Sequence, residues 1–341
     1  MGFQVIWFIL WGVLWAVYFM LDGFDFGVGM LSLFIGRTDA ERRTVIETVG
    51  PVWNGNEVWF LTAGGATFAA FPTTYALMFS YLYTALLLIL FSLILRGVSI
   101  EFREQISNPT WRRGWDWGIF LGSVLPALLF GVAFGNIFQG IPMDAAGYHG
   151  TILTLLNPYG LLTGIFFVLL FILHGAVYLS IKTGDDLGRR SRKVAGATWY
   201  PLLAVAVAFL AYTAFATKLY DNFIGAPLFL VVPLAAVIAL LLIKVFLAGG
   251  KVIPAFVSSC VTVLAVTFTG IIGLYPNLIP SSIDPVYSLT IFNSSSSPYT
   301  LKIMTVVALI FVPIVIVYQA YIYRVFMGKV TSDEGKPEKT Y

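Results

Sequence analysis

Nine long apolar segments run through this 341-residue chain, and they decide what it can fold into. A helix that crosses the hydrocarbon core of a bilayer needs about 20 mainly apolar residues. The segments are Phe3–Phe34, Val49–Phe71, Tyr75–Leu95, Trp117–Phe138, Pro158–Ile181, Trp199–Ala216, Leu228–Phe246, Val252–Ile272 and Leu301–Tyr323. The second is the weakest, because Asn54, Asn56 and Glu57 interrupt it. Only 11% of the residues are charged, against about 25% in an ordinary soluble domain. Such a sequence cannot cover a soluble globule with polar surface, and lipid removes that need. The reading is an all-α polytopic membrane protein with about nine transmembrane helices, a single integral membrane domain over residues 1–341.

The basic residues give the expected topology, since Lys and Arg collect in cytoplasmic connections. Arg37, Arg42 and Arg43 follow the first segment, and none lies in the connection 72–74 after the second. Arg96, Arg103, Arg112 and Arg113 follow the third, and none follows the fourth. Lys182, Arg189, Arg190, Arg192 and Lys193 follow the fifth. Lys251 follows the seventh, with Lys244 near that segment's end, and Arg324, Lys329, Lys336 and Lys339 follow the ninth. Only Lys218 and Lys302 fall on the other side. Removing the second segment would invert every later connection and destroy the alternation, so it is kept. The expected topology has the N-terminus outside, a long external loop at about 273–300 and a cytoplasmic tail at about 324–341.

Other signals are weaker. Met1 to Leu21 is apolar but lacks the basic start and cleavage site of a secretory signal, so it reads as part of a retained first span. Cys260 is the single cysteine and excludes an intrachain disulfide framework. No basic face suits nucleic acid. Asn293-Ser294-Ser295 fits a glycosylation sequon, a cheap match in a Ser-rich loop. Thr38-Asp39-Ala40-Glu41 reads as a capping box opening a short interfacial helix.

Ionisable groups inside a membrane are costly and usually face protein or water. Asp22 and Asp25 lie three residues apart on one face of the first helix. Glu57 lies roughly 13 Å into the antiparallel second helix, at 1.5 Å per residue. The topology puts all three in the cytoplasmic half, where they are candidates for a proton path or ion site. For Asp22 the preferred reading is a cap or hydrogen bond near headgroup depth; for Glu57 it is function. Gly23, Gly27 and Gly29 leave room for close helix contact beside them. His174 is the sole histidine within a segment, and it reads as a packing residue in preference to a haem or metal ligand. Trp53 and Trp59 flank Glu57; packing is preferred, with contact to a flat cofactor at a subunit interface as the sharper option.

At these residues the sequence resembles subunit II of the cytochrome bd quinol oxidases. The resemblance is carried by Leu21-Asp22-Gly23-Phe24-Asp25-Phe26-Gly27-Val28-Gly29-Met30-Leu31, Ile35-Gly36-Arg37 and Glu41-Arg42-Arg43. It continues in Gly50-Pro51-Val52-Trp53-Asn54-Gly55-Asn56-Glu57-Val58-Trp59 and Thr62-Ala63-Gly64-Gly65-Ala66. Trp115-Asp116-Trp117-Gly118, Gly131-Val132-Ala133-Phe134-Gly135-Asn136, Asn157-Pro158-Tyr159-Gly160-Leu161-Leu162 and Tyr275-Pro276-Asn277 extend it along nearly the whole chain.

The resemblance implies two four-helix bundles plus one peripheral helix in a bacterial-type cytoplasmic membrane. It implies a heterodimer with a larger subunit I that holds the quinol site, two b-type haems and one d-type haem. The complex would oxidise quinol and reduce O2 to water with protons from the cytoplasm. This chain would then carry no catalytic or metal-ligating residue of its own. Room remains for a bound quinone or lipid and for a small accessory subunit. Many relatives have Asp where Asn54 stands, as a proposed member of a proton path. Asn cannot carry a proton, and Glu57, one turn on, is the nearest acid able to replace it. The proton-path candidates are therefore Glu57, Asp25, Asn54 and Asp22. A proton- or ion-coupled secondary transporter is the rival class, and a purely structural scaffold subunit is a third.

Overall fold

A computed structural model describes residues 2–330. The expected tail therefore lies partly outside the described residues, including Lys336 and Lys339, and so does Met1. Helices occupy all nine expected positions. They begin with α1 (Phe3–Ile35), the short α2 (Asp39–Glu47), α3 (Trp53–Ala70), α4 (Pro72–Tyr81), α5 (Tyr83–Phe102) and α6 (Pro109–Gln139). A two-residue hairpin, β1 (Met143–Asp144) with β2 (Gly147–Tyr148), and α7 (Ile152–Leu155) lead into α8 (Pro158–Lys182) and α9 (Asp185–Ala216). Then come α10 (Asp221–Gly225), α11 (Val231–Ala248), α12 (Val252–Leu274), the pair β3 (Asn277–Ile279) and β4 (Leu289–Thr290), and α13 (Pro298–Val325).

Among the described residues, eight helices are long and apolar enough to span a membrane: α1, α5, α6, α8, α9, α11 with its preceding turn, α12 and α13. The helix at the weak second position, α3, is not among them. Its 18 residues reach about 27 Å, and Asn54, Asn56, Glu57 and three glycines dilute its apolar character. It lies against α1.

Three boundaries differ from expectation. The third segment is two helices, α4 and α5, kinked at Leu82, and α4 starts inside the expected connection 72–74. Proline disfavours helical backbone in the residue before it, which ends α3 at Phe71, and Pro72 then opens the next helix. Second, α5 runs on to Phe102, so Arg96 is an interior helix residue and not a loop cation. Third, α9 starts at Asp185, and Arg189, Arg190, Arg192 and Lys193 sit on its first turns. Arg103, Arg112 and Arg113 still mark the α5–α6 end.

The helices associate as two groups with one outlier. Helix α1 packs on α3 and α6, and α5 packs on α6; α8 packs on α9 and α12, and α11 on α12. Helices α1, α6, α8 and α12 join the two groups. The peripheral member is α13, in which Leu301 is the only fully buried residue. Close approach of α1 and α8 depends on glycine. A Cβ on Gly27 would lie 1.9 Å from the Phe171 carbonyl oxygen, and one on Gly175 would lie 2.5 Å from the Gly27 backbone. Trp15, Tyr18, Phe19, Phe130 and Phe134 fill the space between α1 and α6 with edge-to-face ring pairs.

The segment between α12 and α13 folds over one end of the bundle. Ile141, Met143, Ile279 and Leu289 form a small apolar cluster there with Leu77 and Tyr81 of α4. Asn293 donates its amide nitrogen to Ser288 O (2.8 Å) and accepts from Thr290 N–H (2.8 Å), so its side chain knits the loop. At α2, Thr38 Oγ1 caps Glu41 N–H at 3.2 Å. The Glu41 carboxylate accepts from Arg37 N–H at 2.7 Å, so only half of the expected capping box forms.

Candidate functional site

Two of the three membrane acids, Asp22 and Glu57, lie against one cation that the sequence reading put in a loop, and Asp25 follows Asp22 on the same helix. Arg96 reaches from α5 with only 1% of its side chain exposed. Its Nη2 lies 2.7 Å from Asp22 Oδ1, 3.0 Å from Asp22 Oδ2 and 3.5 Å from Glu57 Oε1. The guanidinium stacks 4.3 Å from the centroid of Phe26, one turn along α1. Asp22 is fully buried and ion-paired to Arg96. Helix α1 can place two carboxylates here because Asp22 and Asp25 are three residues apart. Glu57 is 19% exposed and sits at the edge of the cluster. The residues of α3 beside it, Asn54, Gly55, Val58 and Leu61, face outward.

Asp25 is held by a second, uncharged network. Asn56 Nδ2 donates to Asp25 Oδ2 at 2.7 Å. Asn56 Oδ1 accepts from Tyr323 OH at 2.7 Å and from Gln319 Nε2 at 3.1 Å, both from α13. Gln319 Oε1 in turn accepts from Trp59 Nε1 at 2.6 Å. Arg96, Asn56, Gln319 and Tyr323 were missed in the sequence. A usable signal existed for Gln319, a polar residue deep in an apolar segment.

The other candidates fall elsewhere. Asn54 is exposed on the outer face of α3 and joins neither network. Trp53 is buried against α5, where a Cβ on Gly97 would meet its ring at 3.0 Å. Trp59 is buried and spends its indole N–H on Gln319. Both tryptophans therefore pack within this chain. His174 is fully buried, with Nδ1 2.7 Å from Ser259 Oγ and Nε2 2.9 Å from Met20 O. A carbonyl can only accept, so Nε2 carries the proton, while Nδ1 faces Ser259 Oγ, whose hydroxyl also lies 2.7 Å from Phe256 O. Neither nitrogen is left for iron, and the residue does not fit an axial haem ligand. Among the described residues no group of three or more His, Cys, Asp or Glu is arranged to hold a metal ion.

At the end of α5 a second charge network ties the short helix α2 to the bundle. Buried Arg103 bonds Asp116 (2.6 Å), Asp39 (2.7 Å) and Glu104. Arg112 adds a 2.7 Å contact to Asp39, and Arg42 a 3.3 Å contact to Asp116. Burial works to raise the Asp39 carboxyl, but Arg103 and Arg112 together outweigh it and hold the group below its usual range.

The chain matches the family model for cytochrome bd terminal oxidase subunit II over residues 3–326. It is 38% identical over 363 residues to cytochrome bd-I ubiquinol oxidase subunit 2 of Escherichia coli (strain K12), covering 97% of this chain and 96% of that protein. It is 38% identical over 332 residues to cytochrome bd ubiquinol oxidase subunit 2 of Bacillus subtilis (strain 168), covering 96% and 97%. The structure of bd oxidase from Geobacillus thermodenitrificans contains a chain of the same fold, with a TM-score of 0.79 at 17% identity over 96% of this chain and 99% of that one. The oxidase reading is thereby favoured over the transporter. A cytochrome complex carries haem, and a second subunit implies a first, so this chain works within a haem-bearing assembly. It belongs to the cytochrome bd terminal oxidase subunit II family and is a multi-pass membrane subunit of a quinol oxidase.

Proposed function

We propose that this chain supplies protons to oxygen reduction through the cluster of Glu57, Asp25, Asp22 and Arg96, while a larger subunit I holds the haems and the quinol site. One observation carries this reading: Asp22 and Glu57 flank a single buried guanidinium, and Asp25, three residues along α1 from Asp22, adds a third buried carboxyl beside them. Such a group approaches electrical neutrality in a low dielectric only when protons are bound to some of its acids. Reduction of O2 to water consumes protons, and a buried store of exchangeable protons suits that demand. Glu57, half-way to the outer face of α3, is the entry or exit of the cluster, and Asp22 and Asp25 lie deeper. Asn54, exposed and unable to ionise, takes no proton here.

In this reading the two b-type haems and the d-type haem are ligated by the partner, and this chain ligates none. Support comes from His174, whose ring nitrogens are both engaged. The N-terminus is outside and the C-terminus cytoplasmic, with Arg103, Arg112 and Arg113 at the cytoplasmic end of α5 and α6. The segment 275–297 is then the external loop. Partner contact runs along the outward face of α3, where Val58, Leu61 and Phe68 are exposed, so that Glu57 meets the interface. An apolar cavity of about 100 Å³ lined by Phe134, Phe166, Phe209, Leu240 and Val266 is where a bound quinone tail or lipid chain fits.

The test is the purified complex in liposomes, followed by quinol-dependent oxygen consumption and the pH on each side. Proton consumption from the side bearing the α5–α6 connection, slowed when Asp25 is replaced by Asn, is expected. Uptake from the opposite side, or an undiminished rate in an assembled Asp25→Asn complex, would overturn the proposal.

A further inference from the structure

The uncharged network beside Asp25 has a fixed polarity, and its origin lies in the peripheral helix. An indole N–H can only donate. Trp59 therefore forces the oxygen of Gln319 toward itself, at 2.6 Å, and turns the Gln319 amide nitrogen toward Asn56. Asn56 Oδ1 must then accept that N–H, together with the Tyr323 hydroxyl at 2.7 Å. The remaining end of Asn56, its Nδ2, is left to donate to Asp25 Oδ2 at 2.7 Å. Inverting either amide would set donor against donor beside the buried Asn56 and Trp59, where an unmade hydrogen bond is expensive.

We propose that Trp59, Gln319 and Tyr323 are positioning residues for Asp25, which fix Asn56 with its amide N–H on the Asp25 carboxyl. The proposal rests on the reading of Asp25 as a proton-path residue. Its geometry explains how α13 is placed. That helix is nearly bare of buried side chains. At one end Trp7 donates to Leu301 O and Thr305 Oγ1, each at 3.1 Å. At the other, Lys182 of α8 donates to the carbonyls of Phe326 and Gly328. Between these two clamps the polar contacts of α13 with the bundle are those of Gln319 and Tyr323. A helix with few buried side chains thus delivers two side chains to the acid cluster and shares in setting the state of Asp25. Neither amide can pass a proton along the chain, so the role is orientation and not conduction.

The experiment uses the assembled complex carrying Gln319→Leu, and separately the milder Trp59→Phe and Tyr323→Phe, which keep the rings. Each is compared with Asp25→Asn. The carboxyl C=O stretch of Asp25 is identified in infrared difference spectra as the band that Asp25→Asn removes. Expected are a shift of that band, a fall in kcat of about tenfold with unchanged quinol KM, the scale of one lost hydrogen bond, and an unchanged haem spectrum. In an Asp25→Asn background Gln319→Leu should slow turnover no further. If Gln319→Leu does not assemble, the two ring-conserving variants decide. Slow turnover in Asp25→Asn with wild-type turnover and an unmoved band in the others overturns this inference alone. Wild-type turnover in Asp25→Asn overturns the proton reading and this inference with it.

Discussion

Arg96 is the cation on which the acid cluster depends, and its replacement by Met gives a graded expectation. The side chain is 1% exposed and Asp22 is 0% exposed, with 2.7 Å between them. Removing one partner of a buried ion pair costs about 3–5 kcal/mol, because the survivor is left charged in a low dielectric. Here Asp22 can take up a proton, which places the expected loss near the lower end, about 3 kcal/mol. Asp22→Asn alone removes a charge but leaves Arg96 facing Glu57 at 3.5 Å, so it should cost less. The double variant should be more stable than Arg96→Met alone, with a coupling of about 1–3 kcal/mol for residues in direct contact. The assay is thermal unfolding of the purified complex for the wild type, both single variants and the double, with the haem spectrum reporting assembly. Strict additivity, or an Arg96→Met complex as stable as wild type, would refute the argument that this pair is a desolvated, mutually dependent unit.

Gly27→Ala should abolish or sharply reduce assembly, because its Cβ would meet the Phe171 carbonyl at 1.9 Å and neither backbone can yield; membrane yield of the complex measures this, and normal yield would contradict the α1–α8 contact. His174→Ala should leave the haem spectrum of assembled complex unchanged, since both ring nitrogens bond within this chain; selective loss of one haem would contradict it. Asp39 adds a pH dependence: its carboxyl is held below the usual value, so its contribution is fully present above the unfolded pKa of about 3.9 and fades as pH falls through the lower folded value. Asp39→Asn should therefore weaken the α2 contacts at neutral pH and flatten their acid dependence, with the difference from wild type vanishing at low pH, as read by proteolysis of that connection across pH.

The sequence was most legible where a rule of composition acts over a whole segment. Apolar runs located the eight helices long and apolar enough to span among the described residues, and the glycines of α1 were rightly read as contact points. It was least legible where a hydropathy boundary met a charged residue. Arg96 follows an apolar run that ends at Leu95, so it reads as a loop cation, yet Val98 and Ile100 continue the helix beyond it and the guanidinium turns inward to Asp22. Glu57 and Asp25 were visible as unusual acids, but their partners were not. Gln319 and Tyr323 lie more than 260 residues from Asn56, and no local period links them. Asn54 and Asn56 read alike in sequence, being two apart on α3; helical geometry turns one outward and makes the other the hub of the site.

The most direct measurement is turnover of the Glu57→Gln complex. Glutamine keeps the size and hydrogen bonding of glutamate but cannot release a proton. The account predicts normal assembly, a normal haem spectrum, and slowed oxygen reduction at its proton-coupled step in single-turnover kinetics, with Glu57→Asp less impaired. Wild-type rates in an assembled Glu57→Gln complex would contradict it, leaving Glu57 a structural neighbour of Arg96 and routing the protons through the partner subunit.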